Sequence, residues 1–299
     1  MKVLVWNENM HEKKIPVVTE LYPGGIHEYI ASFLRCDDIE VTTATLDDPE
    51  CGLTDDVLKE TDVLIWWGHM GHHLVPDEIV DRVQQYVLHG MGLIVLHSAH
   101  HSKIFKRLMG TTCSLRWYDD TKERIWTIKP NHPIADGIAE SFVLEPEEMY
   151  GEMFDIPEPM ETIFLGWFKT GHVFRSGCTW VRGNGKIFYF QPGHETNPSY
   201  RNENVQRILK NAVRWACPIK KNLVIDCPYT EPVIGGESLY RDLLPYCKRA
   251  YVTKVDATAD DADAFMVNLD SHPDWEIEEI GEELEEKGYT FRFVTYKKK

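Results

Sequence analysis

Short apolar runs separated by segments of helical period organise the first half of the chain. Lys2-Val-Leu-Val-Trp6, Asp62-Val-Leu-Ile-Trp-Trp67 and Gly92-Leu-Ile-Val-Leu-His97 are rich in branched and aromatic residues and too short for core helices. Such runs predict strands buried on both faces. Val41 to Leu46 alternates and predicts a further strand. Tyr22-Pro23-Gly24-Gly25 breaks the chain before a helix over 26–34. Pro76 opens a second helix running to Leu88, with Ile79, Val83 and Val87 at helical spacing. Ser102 is placed as the N-cap of a third, to Met109, whose Ile104, Phe105 and Leu108 share a face. This β-α-β-α alternation predicts a parallel sheet covered by helices on both faces.

After residue 113 the predicted strands shorten. Arg124 to Lys129 and Glu161 to Phe168 each read as one. Val173 to Arg175 and Cys178 to Gln191 contain a hairpin whose turn, Gly183-Asn184-Gly185, signals positive φ. A helix follows from Asn204 to Ala216, with Val205, Ile208, Leu209, Ala212 and Val213 on its face, and Pro218 ends it. Beyond it, Ser238 to Leu244 reads as a short helix. Arg249 to Val255 and Thr290 to Tyr296 read as strands, with the acidic stretch Glu276 to Glu286 between them. The chain therefore divides into residues 1–233 and a tail, 234–299, expected to be a small α+β unit looser than the main domain.

Composition narrows the function classes. Apolar residues make up 43% of the 299, enough for a real core, and the formal charge of −16 argues against nucleic acid or an anionic membrane as partner. No apolar run reaches membrane-spanning length, and MKVLVWNENM lacks a basic-then-apolar signal pattern, so the expectation is a cytoplasmic protein. Seven cysteines without framework spacing read as reduced thiols. Cys113 and Cys178 in particular are expected to be buried and not nucleophiles.

The chemistry lies in the histidines. Gly68-His69-Met70-Gly71-His72-His73 follows one predicted strand, His97-Ser98-Ala99-His100-His101-Ser102 the next, and Gly193-His194-Glu195 the strand ending at Phe190. Loops at the carboxyl ends of parallel strands gather on one edge of the sheet, where ligands bind. His69, His97, His100 and His194 are therefore expected round one crevice. Glu147, Glu148 and Glu152, in a segment read as a covering loop, add carboxylates. Imidazoles with a carboxylate suit zinc or a similar divalent ion, with His69, His97, His194 and Glu147 as candidate ligands. His97, His100, His194 and Glu195 are the candidate catalytic groups. His27, His69, Lys103, Trp117, Glu147 and Arg175 are candidate substrate contacts: the cations for hydroxyls or carboxylates, Trp117 as a stacking face for a sugar ring. The bland alternative for each histidine is a satisfied loop or core residue, and His89 and His132 are assigned to structure.

At VWNE, YPGGIH, WWGH, GLIVLHSAHHSKIFKRLMGTTC, EEMYGEMFDIP, VFRSGC and IFYFQPGHETNPSY, the chain resembles the ThuA-like (trehalose utilisation) family, over residues 1–233. That resemblance implies a flavodoxin-like sheet similar to class I glutamine amidotransferases and a role in trehalose or keto-disaccharide metabolism, on a small sugar substrate. A homo-oligomer is compatible with it. In the amidotransferases the strand-to-helix turn holds a nucleophilic Cys, and a His plus Glu follow a late strand. Here the turn is His97-Ser98-Ala99-His100, without a thiol, while His194-Glu195 remains. Covalent amide hydrolysis is thus not expected. The tail resembles the end of a dihydrofolate reductase, where Gly235-Gly236 matches a cofactor-approach motif. The first half of that fold has no counterpart, so neither reductase activity nor a nucleotide cofactor is expected. The rival reading is a non-catalytic sugar-binding or regulatory module on the same fold.

Overall fold

The computed structural model describes residues 1–218, 240–241, 243–258, 262 and 265–299. It divides into two units, Met1–Lys221 and Asn222–Lys299. The boundary expected at 233, the Gly235-Gly236 motif and part of the expected Ser238–Leu244 helix lie outside the described residues.

The first unit contains a nine-stranded sheet. Its strands are β1 (Lys2–Asn7), β2 (Glu40–Thr45), β3 (Val63–Trp67), β4 (Gly92–Leu96), β5 (Arg116–Thr127), β6 (Ser141–Gly151), β7 (Glu161–Phe168), β8 (Val173–Arg182) and β9 (Gly185–Phe190). The helices are α1 (Pro16–Leu21), α2 (Ile26–Leu34), α3 (Asp55–Lys59), α4 (Asp77–His89), α5 (Lys103–Met109) and α6 (Glu203–Ala216). The strand order is β2-β1-β3-β4-β9-β8-β7-β5-β6. The first five strands run parallel, in the order of a flavodoxin-like sheet. The last four extend it antiparallel.

Alternation along the parallel strands splits the interior into two cores. Val3, Val5, Ile65, Trp67, Ile94, Leu96, Phe188 and Phe190 face one way, with residues of α2 and α6. Leu4, Trp6, Leu64, Trp66, Leu93, Val95, Ile187 and Tyr189 face the other, with residues of α4 and α5. Every residue of β3 and β4 is buried, as strands covered by helices on both faces require. Ser102 caps α5 by accepting from Phe105 N–H. At the β8–β9 turn Gly183 has φ +57, and a Cβ there would stand 2.4 Å from the Leu88 carbonyl oxygen, so the hairpin requires glycine.

The antiparallel half departs from expectation. Arg116–Thr127 is one long strand rather than a piece beginning at Arg124. Glu147 and Glu148 lie on strand β6 rather than in a covering loop. Pro146 and the broken alternation hide that strand in the sequence; β6 is the sheet's edge, where a missing N–H is tolerated.

The second unit is a four-stranded antiparallel sheet. Its β10 (Arg249–Val255) and β11 (Trp275–Ile280) flank β13 (Tyr289–Lys298), while β12 (Leu284–Glu286) also pairs with β13. The two strands expected from sequence thus pair directly with each other, and the acidic stretch between them supplies two more. Its core is small: Leu269, Trp275, Val294 and Tyr296, with Val252 and Ala250 beside them.

Candidate functional site

The carboxyl ends of β1, β3, β4 and β9 deliver polar residues to one place. After β1 comes Glu8, buried, whose carboxylate accepts the backbone N–H groups of His69, Met70 and Gly71 at 2.8, 2.8 and 2.7 Å. These bonds and the His11 contact outweigh the cost of burial and hold its pKa below the usual carboxylate value. The loop after β3 is thus pinned by a charge from the neighbouring strand, which presents His69.

After β4 the backbone turns at once. His97 has φ 51, a left-handed conformation uncommon for a non-glycine residue. Its ring is fully buried, with Nδ1 2.8 Å from the Gln191 carbonyl oxygen and Nε2 3.0 Å from Glu148 Oε2. The carbonyl fixes Nδ1 as the donor, so Nε2 is the atom turned to the carboxylate. Burial by itself lowers the pKa of this imidazole; the Glu148 hydrogen bond and charge more than offset that and raise it. Tyr150, stacked on the same ring at 5.1 Å, completes the wall.

After β9, Gly193 turns with φ +129, and a Cβ there would collide with the Tyr200 hydroxyl at 2.1 Å. His194 and Glu195 follow. His194 Nδ1 lies 2.8 Å from Thr196 Oγ1, and its Nε2 is 3.7 Å from Glu195 Oε1. Glu195 Oε2 is 3.0 Å from His69 Nδ1, while its Oε1 is 3.3 Å from His11 Nε2. Burial tends to raise the Glu195 pKa, but the His69 hydrogen bond and the surrounding imidazoles pull it down to about 2.

His69, His97 and His194 therefore converge as expected, with ring centroids 5.4 to 6.3 Å apart. His100 does not join them. It is buried behind Tyr150, among Phe154 and Tyr189, with Nδ1 2.7 Å from the Cys113 carbonyl oxygen. Burial in that aromatic nest pushes its pKa well below the ordinary imidazole value, so it is a neutral core residue.

Glu147 is also corrected. Its oxygens already accept the N–H groups of Glu148 (2.9 Å), Gly193 (3.1 Å) and His194 (3.4 Å), the Asn197 amide (3.4 Å) and the Ser199 hydroxyl. A carboxylate so saturated braces the β9 loop and has no lone pair to offer a metal. The ligand-capable carboxylate on β6 is its neighbour Glu148.

The proposed substrate contacts scatter. Lys103 Nζ is held by the Val75 carbonyl and Asp77. Arg175 forms a bidentate pair with Glu152 and donates to the Phe154 carbonyl. Both cations are committed elsewhere. His27 Nδ1 lies 3.1 Å from Asn7 Nδ2 at the end of β1, and burial lowers its pKa. Trp117 is exposed on β5, two residues from Asp119, a placement compatible with a stacking face.

Among the described residues, three groups bring ligand atoms within 4.8 Å of one another: His11, His69 and Glu195; His97, His194 and Glu195; and Asp119, Glu148 and His194. Sequence reasoning did not single out His11 or Glu8. The signal that would have found them is position, since Asn7-Glu8-Asn9 also follows a buried parallel strand. Cys113 and Cys178 are buried thiols, as expected: burial pushes Cys113 up to about 11 and Cys178 up to about 12, which disfavours the reactive thiolate.

The ThuA model, described as trehalose utilisation, matches residues 2–216. This chain belongs to that family. The dihydrofolate reductase model matches residues 201–298, the region of the second sheet. A ThuA-like protein from Bacteroides uniformis is 17% identical with a TM-score of 0.54, over 72% of this chain and 91% of its own. One from Parabacteroides merdae is 16% identical with a TM-score of 0.53, over 72% and 88%. A cytoplasmic protein from Salmonella typhimurium is 11% identical with a TM-score of 0.51, over 73% of this chain and 100% of its own. At these identities the likeness is one of fold. No curated protein matches the chain. Among the described residues, no helix is long and apolar enough to cross a membrane.

Proposed function

We propose that the ThuA-like unit is a metal-assisted enzyme acting on a neutral sugar derivative, a disaccharide or its keto form. The observation that carries this reading is His97. Its Nδ1 is tied to a backbone carbonyl and its Nε2 is turned into a crevice shared with His194, Glu195 and Glu148, the pattern by which an outer hydrogen bond orients a ligating imidazole. His97, His194 and Glu195 would hold the ion, which when bound would polarise a carbonyl or hydroxyl oxygen of the sugar. For His97 to serve as a ligand its Nε2 proton would leave to solvent, and Glu148, no longer paired with it, would be the carboxylate that accepts a proton from a ligand hydroxyl. His69, partly exposed and hydrogen-bonded to Glu195, is the imidazole of the group nearest solvent. Trp117 offers an apolar face to a pyranose ring.

The test is calorimetric titration of metal-stripped full-length protein with Zn2+, Mn2+ and Co2+, followed by NMR of keto-disaccharide mixtures. Saturable binding at micromolar or tighter Kd, with turnover lost on His97→Asn, is expected. Sugar binding without metal uptake or turnover would instead identify a binding module.

A further inference from the structure

The crevice holds more ligating groups than one ion requires. Glu195 belongs to two groups whose ligand atoms lie within 4.8 Å of one another, one with His97 and His194 and one with His11 and His69. Glu195 lies between the two halves: its Oε2 faces His69 at 3.0 Å, and its Oε1 faces His11 at 3.3 Å on one side and His194 at 3.7 Å on the other.

His11 is the residue without an explanation in a one-ion site. Its side chain is 4% exposed and stacks on His69 at a centroid distance of 4.9 Å. Its Nδ1 is buried without a hydrogen-bond partner. The nearest oxygen, Glu8 Oε1, is 3.5 Å away, too far for a sound bond. Glu8 is itself occupied by three backbone N–H groups. The other nitrogen, Nε2, is the one turned to Glu195, at 3.3 Å, and is the atom that would ligate an ion there. The order of the loops supports the same division: His11 and His69 come from the ends of β1 and β3, His97 and His194 from the ends of β4 and β9, adjacent pairs in the sheet.

The geometry points to a two-ion centre in which Glu195 bridges, with His11 and His69 holding the second divalent cation beside the one assigned to His97 and His194. This deepens the metal reading above and rests on it. Two ions a few ångströms apart, roughly 3.5–4 Å in such centres, would clamp adjacent oxygens of one ligand, as the vicinal oxygens of a keto-sugar present them.

The experiment loads metal-stripped full-length protein with Mn2+ or Zn2+, removes excess by gel filtration, and counts metal per chain. Wild type is expected to retain two equivalents, and the Mn2+ form to show the exchange-coupled EPR spectrum of a close pair. His11→Gln should retain one, with at least a tenfold weaker second step, while His97→Asn should weaken the other. One uncoupled equivalent in wild type, unchanged by His11→Gln, would overturn the two-ion centre and leave the one-ion reading standing. No uptake at all would remove both. The wild-type stoichiometry and EPR decide the matter even if a variant fails to fold.

Discussion

The two sheets of this chain solve the same problem on different scales. In the first, β3 and β4 are buried along their whole length and every residue faces one of two large cores. In the second, β10 alternates between exposed and half-buried positions, β11 buries only Trp275, and a handful of side chains make the core. Tyr251 and Phe293 remain more than half exposed. A sheet covered on both faces gains burial from every residue, whereas one with an open face gains from every second residue at best. The first arrangement can afford a site lined with buried charges, because its core supplies the stability that those charges cost.

That contrast is open to direct attack. The largest effect is expected at Glu147. Glu147→Leu strips five donors of their acceptor within a buried loop, and should cost about 3–5 kcal/mol by urea unfolding. A loss under about 1 kcal/mol would mean that the β9 loop holds itself.

A second test uses pH. His100 is buried with a folded pKa well below the ordinary 6.5. Above pH 6.5 neither state binds its proton. Below it the unfolded chain does and the folded one does not, so stability falls as the solution is acidified. One such proton contributes a slope of about 1.4 kcal/mol per pH unit. His97 and His11 have folded pKa values raised above 6.5. Their contribution is complete below that pH and is lost only on the alkaline side. Unfolding free energies from pH 6.5 downward should therefore fall less steeply in His100→Gln than in wild type; equal slopes would show that His100 takes up its proton in the folded state.

Truncation comes next in size. Residues 1–233 should melt within a few degrees of the full chain and keep the same metal stoichiometry, because both large cores are built from residues up to 217. A drop of ten degrees or more would show that the second unit is needed by the first. The smallest effect is expected at Phe293→Ser, within about 0.5 kcal/mol, as for other exposed positions. A larger loss would reveal a hidden contact on the open face.

What the sequence disclosed follows from the same contrast. Val63–Trp67 and Gly92–Leu96 are legible because burial on both faces leaves an unbroken apolar run, and that placed His69 and His97 on one edge with His194. The β6 strand was illegible because a proline and a row of glutamates interrupt it, and the glutamates are there for the site and its brace, not for the sheet. The same interruption made Glu147 look like a ligand when Glu148 is the one turned to His97: adjacent residues on a strand point to opposite faces, and a segment read as a loop carries no such parity. His100 was misplaced for a related reason. After the turn at His97 the chain winds into a short helical turn, and the residue three positions on is carried into the aromatic core. The tail strands Arg249–Val255 and Tyr289–Lys298 were legible, but their mutual pairing depends on tertiary partners that local pattern does not name.

One feature of the crevice also governs how a ligand arrives. Glu8, Glu148 and Glu195 sit within it, their pKa values all held below the ordinary carboxylate value, in a chain whose formal charge is −16. Without a bound ion, the long-range field of so acidic a chain opposes anions and draws cations, screened over a distance of about 10 Å at 0.1 M salt. Uptake of a divalent cation should therefore be fastest in dilute buffer and slow as salt is added.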